Sequence, residues 1–301
     1  MQMPHPIPYQ GSKRNIAKDI LPYIPIGTHT MIESFAGSAA ISIAAGYQHK
    51  VEKFILSDLN SPLMEIWKQI VNEPLVLSEN YKKLWEEQLG QEKEFYLKVR
   101  EEFNKNPRPD QLLYLLARCV KNAVRYNDKG EFNQGSDNRR KGRKPDKMER
   151  EIMGAHKILS TRTELYSIDY TEVNLKAEQN DVIYMDPPYQ GTVKSSKRYI
   201  KGLELDSFIS HLEDLNDRNL SYIISFDGRT GEKIYGEKLP NHLQLKHIEV
   251  NAGRSSQATL LGRSDETVES VYLSQALVER LQNNNQHVLE EVEQLQLFGG
   301  Q

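Results

Sequence analysis

The segment DVIYMDPPYQG at residues 181–191 constrains the fold more than any other part of the chain. Its residues Val182 to Met185 are apolar and β-prone, a pattern typical of a strand covered on both faces in a parallel sheet. Two prolines then end the strand, because proline cannot donate to a sheet ladder and has a fixed φ. Asp186 and Tyr189 therefore stand at the carboxyl edge of an open α/β sheet, where ligands bind. A rigid turn without function is the alternative for these residues alone.

A second strand, turn and helix lie earlier in the chain. The segment from Met31 to Gly37 precedes an Ala/Ile-rich stretch, 38–45, with Ser38 as the expected N-cap. Phe54 to Asp58 follows as a strand that ends in an acid. This order is typical of a nucleotide-binding βαβ unit, in which the glycine admits the nucleotide and the acid binds ribose hydroxyls. Because only one glycine is present, a nucleoside cofactor without a pyrophosphate is favoured.

The 301 residues suffice for one large α/β domain with a smaller second lobe. Between residues 62 and 160 the pattern changes to charged amphipathic helices without a strand long enough for the main sheet. The helices are expected at Pro62–Val71, Leu75–Gly90, Glu92–Asn104 and Asp110–Val124. Strands are expected to resume at Glu164–Ile168, Tyr222–Ser225, Gln244–Val250 and Val268–Leu273, with a crossover helix at Leu205–Arg218. The sequence thus predicts an inserted helical lobe in an α/β sheet protein.

Positive charge is concentrated in one segment of an otherwise acidic chain. The formal net charge is −3, which argues against a wholly basic nucleic-acid binder. Residues 129–150, however, hold eight Lys or Arg against four Asp or Glu, a local net charge of +4. The basic loop within this range, residues 138–147, follows an expected β-hairpin whose turn is Asn127 to Gly130. Phosphate is the natural partner of such a mobile basic loop, and a merely solvated loop is the alternative.

Other features indicate a reducing, non-membrane environment. The single Cys119 lies among apolar residues at helical spacing and is expected to be a core thiol. The longest uncharged stretch, residues 34–49, is too short and too rich in small residues to span a bilayer. We therefore expect a cytoplasmic protein without a membrane segment or a metal site.

Several motifs, in one order, resemble those of the Dam-like (D12 class) family of DNA N6-adenine methyltransferases. They are Tyr9-Gln-Gly-Ser-Lys13, Glu33-Ser-Phe-Ala-Gly37, Asp58-Leu-Asn60, Arg125-Tyr-Asn with Gly130-Glu-Phe-Asn133, Ile168-Asp-Tyr170, Asp186-Pro-Pro-Tyr189, and Gly253-Arg-Ser-Ser256 with Arg263 and Glu266. The resemblance implies a Rossmann-like S-adenosylmethionine-dependent methyltransferase sheet with helices on both faces. It further implies an inserted, mainly helical DNA-recognition lobe that carries the hairpin. The expected division is a catalytic domain at 1–61 and 161–275, a target-recognition domain at 62–160 and a helical tail at 276–301.

The resemblance also implies which residues bind S-adenosylmethionine. They are Tyr9, Gly11, Lys13, Glu33, Phe35, Gly37, Asp58, Asp169, Tyr170 and Asp186. Asp58 would hold the ribose and Asp169 the amine of the cofactor's adenine. In isolation Asp58 fits a cap at a strand end, Asp169 a turn, Lys13 a surface charge and Tyr170 a core aromatic. The joint order of the motifs favours the cofactor site.

The implied catalytic residues are Asp186, Pro187, Pro188 and Tyr189. The N6 amine of adenine is a poor nucleophile because its lone pair is delocalised into the ring. The Asp186 carboxylate and the Pro187 carbonyl could each accept one N6 hydrogen and return that density to nitrogen. Tyr189 offers an aromatic face for a base that has been flipped out of the duplex.

The expected DNA contacts lie mainly in the hairpin and the basic loop. The candidates are Arg125, Asn127, Lys129, Asn133, Arg139, Arg140, Lys141, Arg143, Lys144, Arg254 and Ser255, with Lys129 as the contact to a base edge. Family members that read GATC continue the hairpin with Val-Pro-Phe-Gly, whereas this chain has Gln134-Gly-Ser-Asp137. The DNA sequence that is methylated therefore stays open. So does the setting, which could be a restriction-modification pair, a phage or a solitary enzyme of a bacterial cell.

Three competing functions remain at this point: methylation of cytosine N4, methylation of structured RNA, and DNA binding without catalysis. The first normally has Ser in place of Asp186, and the last is disfavoured because the acid, both prolines and the tyrosine are all present. A basic loop beside a hairpin suits a duplex groove better than structured RNA.

The tail contains Gln294-Leu-Gln-Leu-Phe298, which resembles the short peptides that bind the bacterial sliding clamp. The alternative is that Val288, Val292, Leu295 and Phe298 form one helical stripe that packs on the protein itself.

Overall fold

The computed structural model describes residues 2–188, 203–231, 233–235, 238–254 and 266–284. The strands are β1 (Thr28–Glu33), β2 (Val51–Ser57), β3 (Thr163–Tyr166), β4 (Val182–Met185), β5 (Tyr222–Thr230), β6 (Lys233–Tyr235), β7 (Lys246–Arg254) and β8 (Glu266–Leu273). The helices are α1 (Ala17–Ile20), α2 (Ala40–Tyr47), α3 (Ser61–Asn72), α4 (Pro74–Glu87), α5 (Glu92–Lys105), α6 (Pro109–Arg118), α7 (Pro145–Leu159), α8 (Tyr170–Asn174), α9 (Leu205–Asp217) and α10 (275–284). None of these helices is long and apolar enough to cross a bilayer.

The strands form one mixed sheet in the order β3-β2-β1-β4-β5-β8-β7, with β6 paired to the end of β5. The strands from β3 to β5 in this order are parallel, whereas β8 runs antiparallel to both β5 and β7. The order reverses between β1 and β4, which are directly paired, with Glu33 opposite Tyr184. Such a switch point opens a crevice at the carboxyl ends of the two strands, so the fold itself places a ligand site there. The predicted α/β sheet with helices is confirmed.

Strand β4 lies at the centre of this sheet. All four of its residues are buried, as expected for a strand that is covered on both faces. The Tyr184 hydroxyl lies 2.9 Å from the Ser225 hydroxyl on β5, so the buried polar group has a partner. The backbone of β4 is thereby fixed immediately before Asp186.

Five longer helices, α3 to α7, separate β2 from β3 along the chain. Their buried residues, such as Trp67, Tyr81 and Tyr114, belong to the same hydrophobic cluster as Met31 and Phe54 of the sheet. The proposed division at residues 61 and 161 therefore follows the connection of the strands and does not mark a break in the core.

Helix α6 ends earlier than the sequence pattern predicts. It stops at Arg118, not at Val124, because Cys119 turns to an extended conformation and pairs with Ser136 in an antiparallel bridge. The Asn122 side chain donates to the Leu116 carbonyl at 2.7 Å and Arg140 donates to the Cys119 carbonyl at 3.0 Å. These tertiary partners satisfy carbonyls that further helical turns would otherwise have satisfied. Cys119 is fully buried, which confirms the predicted core thiol.

Candidate cofactor and substrate site

A cavity of about 340 Å³ lies at the carboxyl ends of β1 and β4, within the size range of small-molecule sites. It is lined by residues from the N-terminal segment, the two loops after β1 and β2, the hairpin region and the end of β4: Tyr9, Gln10, Gly11, Ser12, Lys13, Glu33, Ser34, Phe35, Ala36, Gly37, Ser38, Ala40, Asp58, Leu59, Asn60, Val124, Tyr126, Tyr170, Asp186, Pro187 and Pro188. Every predicted cofactor residue except Asp169 therefore lines one cavity, together with both prolines of the catalytic motif.

The loop after β1 needs its glycine. Gly37 has φ +46°, and a Cβ there would lie 3.2 Å from the Tyr9 ring. Its N–H donates to an Asp58 oxygen at 3.0 Å, and its carbonyl accepts from the Trp67 indole at 3.0 Å. The predicted N-cap at Ser38 is wrong: α2 begins after Ala39, which has φ +46°, and the Ser38 hydroxyl donates to the Ser12 hydroxyl at 2.8 Å.

The carboxylate of Asp58 organises the floor of the cavity. It accepts from the Gly37 N–H and from the Asn60 N–H at 2.9 Å, and burial raises its pKa. The Asn60 side chain in turn accepts from the Tyr126 hydroxyl at 3.1 Å, which joins the hairpin region to the cavity. The acid after β2 thus lies where the βαβ pattern predicts it.

An aromatic pair forms another wall. The rings of Phe35 and Tyr170 are stacked with centroids 5.2 Å apart, and Tyr170 also contacts Phe208 and His211 edge-on. Tyr170 lines the cavity and packs against core rings at the same time. Asp169 does not line the cavity. Its carboxylate caps α8 by accepting from the Thr171 N–H at 3.1 Å, which is the turn role that the residue type alone indicated.

Glu33, at the end of β1, is buried and accepts from the Ser42 N–H in the first turn of α2 at 2.9 Å. Burial raises the pKa of Glu33 to about 7, against the lowering effect of that hydrogen bond. The carboxyl group therefore lies between the cavity and the positive end of a helix.

Three charged groups meet at the end of β4. The Lys13 ammonium lies 2.8 Å from Asp186 Oδ1 and 3.4 Å from Glu269 Oε2, and only 5% of the lysine side chain is exposed. Burial raises the pKa of Asp186 to about 6; Lys13 opposes this shift and Glu269 adds to it. The alternative that Lys13 is a surface charge is wrong, because its side chain is almost fully buried.

Glu269 is a site residue that the sequence reasoning missed. The period of two along β8 places it on the same face as Val271 and Leu273, which are buried in the core. A charged residue at such an inward position was the available signal.

The hairpin forms a short, anchored turn. Tyr126 pairs with Phe132 in an antiparallel bridge, and the Gly130 N–H donates to the Asn127 carbonyl at 2.9 Å with φ +75° at the glycine. The Asn127 side chain accepts from the backbone N–H groups of Lys129 and Glu131. The exposed Lys129 stands at the tip of this turn, and Arg125 is exposed at its base.

Four cations of the basic segment, residues 138–147, have partners within the protein. Asp137 holds both Arg139 and Arg140 in ion pairs at 3.1 and 3.0 Å. Lys141 lies 2.7 Å from Glu92, and Arg143 donates to the His5 carbonyl. The two pairs with Asp137 are local, whereas those of Lys141 and Arg143 are tertiary contacts that charge counting cannot show.

A second cavity lies beside this segment. Its cationic lining consists of Arg140, Lys141, Arg143, Lys144, Lys147 and Arg150, with Asp146 as an acid among them. The last two cations stand on the first turns of α7, a helix that the sequence analysis did not predict. Pro8 lines this cavity and the adjacent Tyr9 lines the first, so a single stretch of backbone separates the two.

Some predicted residues cannot be placed. Tyr189, Ser255, the Arg254 side chain and the tail peptide Gln294 to Phe298 lie outside the described residues. Within the described ranges, no three His, Cys, Asp or Glu residues are arranged to hold a metal ion.

The chain was compared with known proteins. It is 29% identical to a protein of Escherichia phage P1 named DNA N-6-adenine-methyltransferase, over 73% of this chain and 29% of that protein. It is 25% identical to modification methylase StsI of Streptococcus sanguinis, over 89% of this chain and 42% of that protein. It is 26% identical to the retron Ec67 DNA adenine methylase of Escherichia coli, over 83% of this chain and 87% of that protein. The chain thus spans less than half the length of the phage P1 and StsI proteins.

The family model of the D12 class N6 adenine-specific DNA methyltransferases matches residues 9–254. This range contains the hairpin, the basic segment and all the residues that line the cavity at the β1/β4 switch point. Since the match covers most of the chain, the protein belongs to the D12 class of N6 adenine-specific DNA methyltransferases.

Proposed function

We propose that this protein transfers a methyl group from S-adenosylmethionine to the N6 amine of an adenine flipped out of duplex DNA at a specific short sequence. The observation that carries the proposal is the single cavity in which Asp58, an aromatic pair and the Asp186-Pro187-Pro188 edge meet at the β1/β4 switch point. The family membership supplies the reaction class, and the names of the relatives agree with it.

The residues of the cavity fit the chemistry of the cofactor. A carboxylate at Asp58 suits ribose hydroxyls, and the Phe35 and Tyr170 rings offer apolar faces to a purine. The glycine at position 37 lets a ligand approach the backbone closely. We therefore assign Tyr9, Lys13, Phe35, Gly37, Asp58, Tyr170 and Asp186 to cofactor binding. When bound, S-adenosylmethionine supplies a methyl group on a positively charged sulfur.

Asp186 and Pro187 would align the amine. Both lie at the cavity edge, where the preceding buried strand and the prolines hold them rigid. The carboxylate and the Pro187 carbonyl accept the two N6 hydrogens and localise the lone pair on nitrogen. After methylation the nitrogen must lose a proton, and an aspartate with a pKa of about 6 is a better acceptor for it than an ordinary aspartate.

Duplex DNA would contact the hairpin and the second cavity. The hairpin presents exposed Lys129 at its tip, and the cationic cavity lies one residue along the backbone from the methylation cavity. A phosphate group held in that cavity would therefore lie close to the flipped nucleotide. In this proposal phosphate contacts provide affinity, and the hairpin provides the choice of site.

We also propose, from the sequence alone, that the peptide Gln294 to Phe298 binds a bacterial sliding clamp. Titration of a clamp with residues 286–301, and with the same peptide carrying Leu297→Ala and Phe298→Ala, tests this. Absent or unchanged binding contradicts it.

The test of the main proposal is methyl transfer itself. Purified protein is incubated with tritiated S-adenosylmethionine and duplex DNA, and separately with RNA, and the modified nucleoside is identified. Label in N6-methyladenosine from RNA alone, or in N4-methylcytosine, would overturn the proposal.

Asp186→Ala should reduce turnover on the order of 100-fold or more, because it removes a preorganised acceptor. Asp217→Ala, an exposed carboxylate at the end of α9, is the matched control and should turn over like the wild type. Folding of both variants is checked by thermal unfolding. More than a tenth of wild-type turnover in folded Asp186→Ala contradicts the assignment.

A further inference from the structure

The Lys13 ammonium already contacts one oxygen of Asp186, the carboxylate that is proposed to align the target amine. It lies 2.8 Å from Asp186 Oδ1 in a nearly buried, charge-assisted contact. A neutral amine that binds the same oxygen, Asp186 Oδ1, must displace this ammonium from it. An ammonium that lost its partner in such a buried position would be strongly disfavoured, so displacement requires a second acceptor.

Glu269 stands where such an acceptor is needed. Its Oε2 lies 3.4 Å from the Lys13 ammonium, beyond an ideal hydrogen bond but close enough for the lysine to reach by a small change of torsion. Its side chain is mostly buried, with 17% exposed. The two carboxylates therefore share one ammonium, and in the structure that ammonium lies nearer Asp186.

Glu269 stands on β8, and its side chain reaches Lys13 on the far side of β5. Glu269 is paired with Gly228 of β5, and directly paired residues of antiparallel strands place their side chains on the same face. A Cβ at Gly228 would lie 2.5 Å from the Val268 carbonyl oxygen. Gly228 therefore permits the backbone of β8 at Val268 and Glu269 to lie close to β5.

We propose that Glu269 is a positioning residue that receives the Lys13 ammonium when the target amine binds to Asp186. The inference rests on the proposed function and adds a residue to it. Glu269 would act through Lys13 and would not touch the substrate. In its absence Lys13 would remain on Asp186 and compete with the base for the cavity.

The charges around Asp186 influence the pH at which it ionises, and this pH can be measured. The groups that act on it or are coupled to it are Lys13, Glu269, Glu33 and the Tyr184 phenol. Glu269 raises the pKa of Asp186. Its neutralisation should therefore move the acidic limb of the pH profile to lower pH, whereas a purely structural role would leave the limb in place.

The test compares Glu269→Gln with the wild type on a duplex whose target adenine is flanked by 2-aminopurine, which leaves the N6 amine in place and whose fluorescence rises when its neighbour leaves the stack. We expect the variant to bind the duplex within about 2-fold of wild type, to give a several-fold smaller fluorescence rise and to turn over about 10-fold more slowly. Its acidic limb should lie at lower pH. Glu249→Gln, an exposed acid of β7 paired with exposed Arg229, is the matched control and should behave like the wild type.

Two further variants keep the test decisive. Glu269→Asp retains the charge and should therefore turn over faster than Glu269→Gln. This variant also provides a test if Glu269→Gln folds poorly. In a Lys13→Met background, Glu269→Gln should cause little additional loss, because its effect requires the ammonium. A folded Glu269→Gln with wild-type fluorescence rise and pH profile, a folded Glu269→Asp that recovers no turnover, or full additivity in the double variant overturns the inference while leaving the methylation proposal standing. A wild-type protein that does not methylate duplex DNA would overturn both.

Discussion

At the scale of single residues, the site consists of ordinary side chains whose ionisation has been changed by burial. Asp186 and Glu33 both have raised pKa values, because each carboxylate is partly or fully removed from water. Asp58 shifts in the same direction while accepting two backbone N–H groups. Raised pKa values in a concave site are typical of functional carboxylates, and they lead to two predictions.

The first prediction concerns the pH dependence of methylation. Asp186 must be ionised to accept the amine hydrogens, so kcat/KM should fall as the pH drops through about 6, well above the usual range of an aspartate. Lys13→Met should move this limb to higher pH, because Lys13 favours the ionised form. Steady-state rates between pH 5 and 8 measure both effects. A limb that stays near pH 4 in wild type, or does not move in Lys13→Met, would contradict the assignment.

The second prediction concerns Glu33 and stability. Its pKa is 4.5 in the unfolded chain and about 7 in the folded protein, so the folded state retains a proton that the unfolded state has lost. This contribution is fully present below pH 4.5 and is lost as the pH rises through 7, with a magnitude of roughly 3 kcal/mol. Glu33→Gln keeps an oxygen for the Ser42 N–H and removes the titration.

Urea unfolding of wild type and Glu33→Gln at several pH values between 5 and 8 measures this contribution. The variant should gain stability relative to wild type as the pH rises across this window. A difference between the two proteins that does not change with pH would show that Glu33 ionises normally.

At the scale of elements, the cationic surface depends on where α7 begins. Pro145 starts this helix, so Lys147 and Arg150 project from its first turns beside the basic segment. Arg139 and Arg140 are already paired with Asp137, and Lys141 is paired with Glu92. We infer that α7 supplies phosphate contacts, which the sequence pattern had predicted only for the basic loop.

We therefore predict that Lys147→Gln with Arg150→Gln weakens binding to all duplexes, whatever their sequence. The slope of log K against log salt should flatten by about one for each lost phosphate contact. Lys68→Gln with Lys82→Gln, exposed cations of α3 and α4, is the control and should bind like wild type. Fluorescence anisotropy at several salt concentrations measures the slope. Equal slopes in the two double variants would contradict a phosphate site at α7.

At the scale of the whole molecule, the helices between β2 and β3 and the sheet share one hydrophobic cluster. The hairpin that emerges from these helices is joined to the cavity by the Tyr126–Asn60 hydrogen bond, and Asn60 follows the ribose-binding candidate Asp58 closely. The hairpin and the floor of the cavity are therefore connected by a side-chain hydrogen bond.

The sequence by itself determined the central strand, the acid-proline edge and the nucleotide-binding unit. These features depend on local properties: an apolar run forms a buried strand, proline ends it and a glycine permits a turn with positive φ. The motifs occur in one order along the chain, so nine of the residues that line the cavity could be named as cofactor candidates before the fold was known. Parallel strands then bring their carboxyl ends to one edge by topology alone.

Only the tertiary structure decided which charges meet. Lys13, Asp186 and Glu269 come from three distant parts of the chain, and their contact depends on the order of the strands. The end of α6 and the contacts of the basic segment with Glu92 and His5 likewise depend on partners that are distant in sequence. Local propensity specifies which residues form a helix or a strand. The end of a helix and the partner of a buried charge depend on which polar group the fold brings next to them.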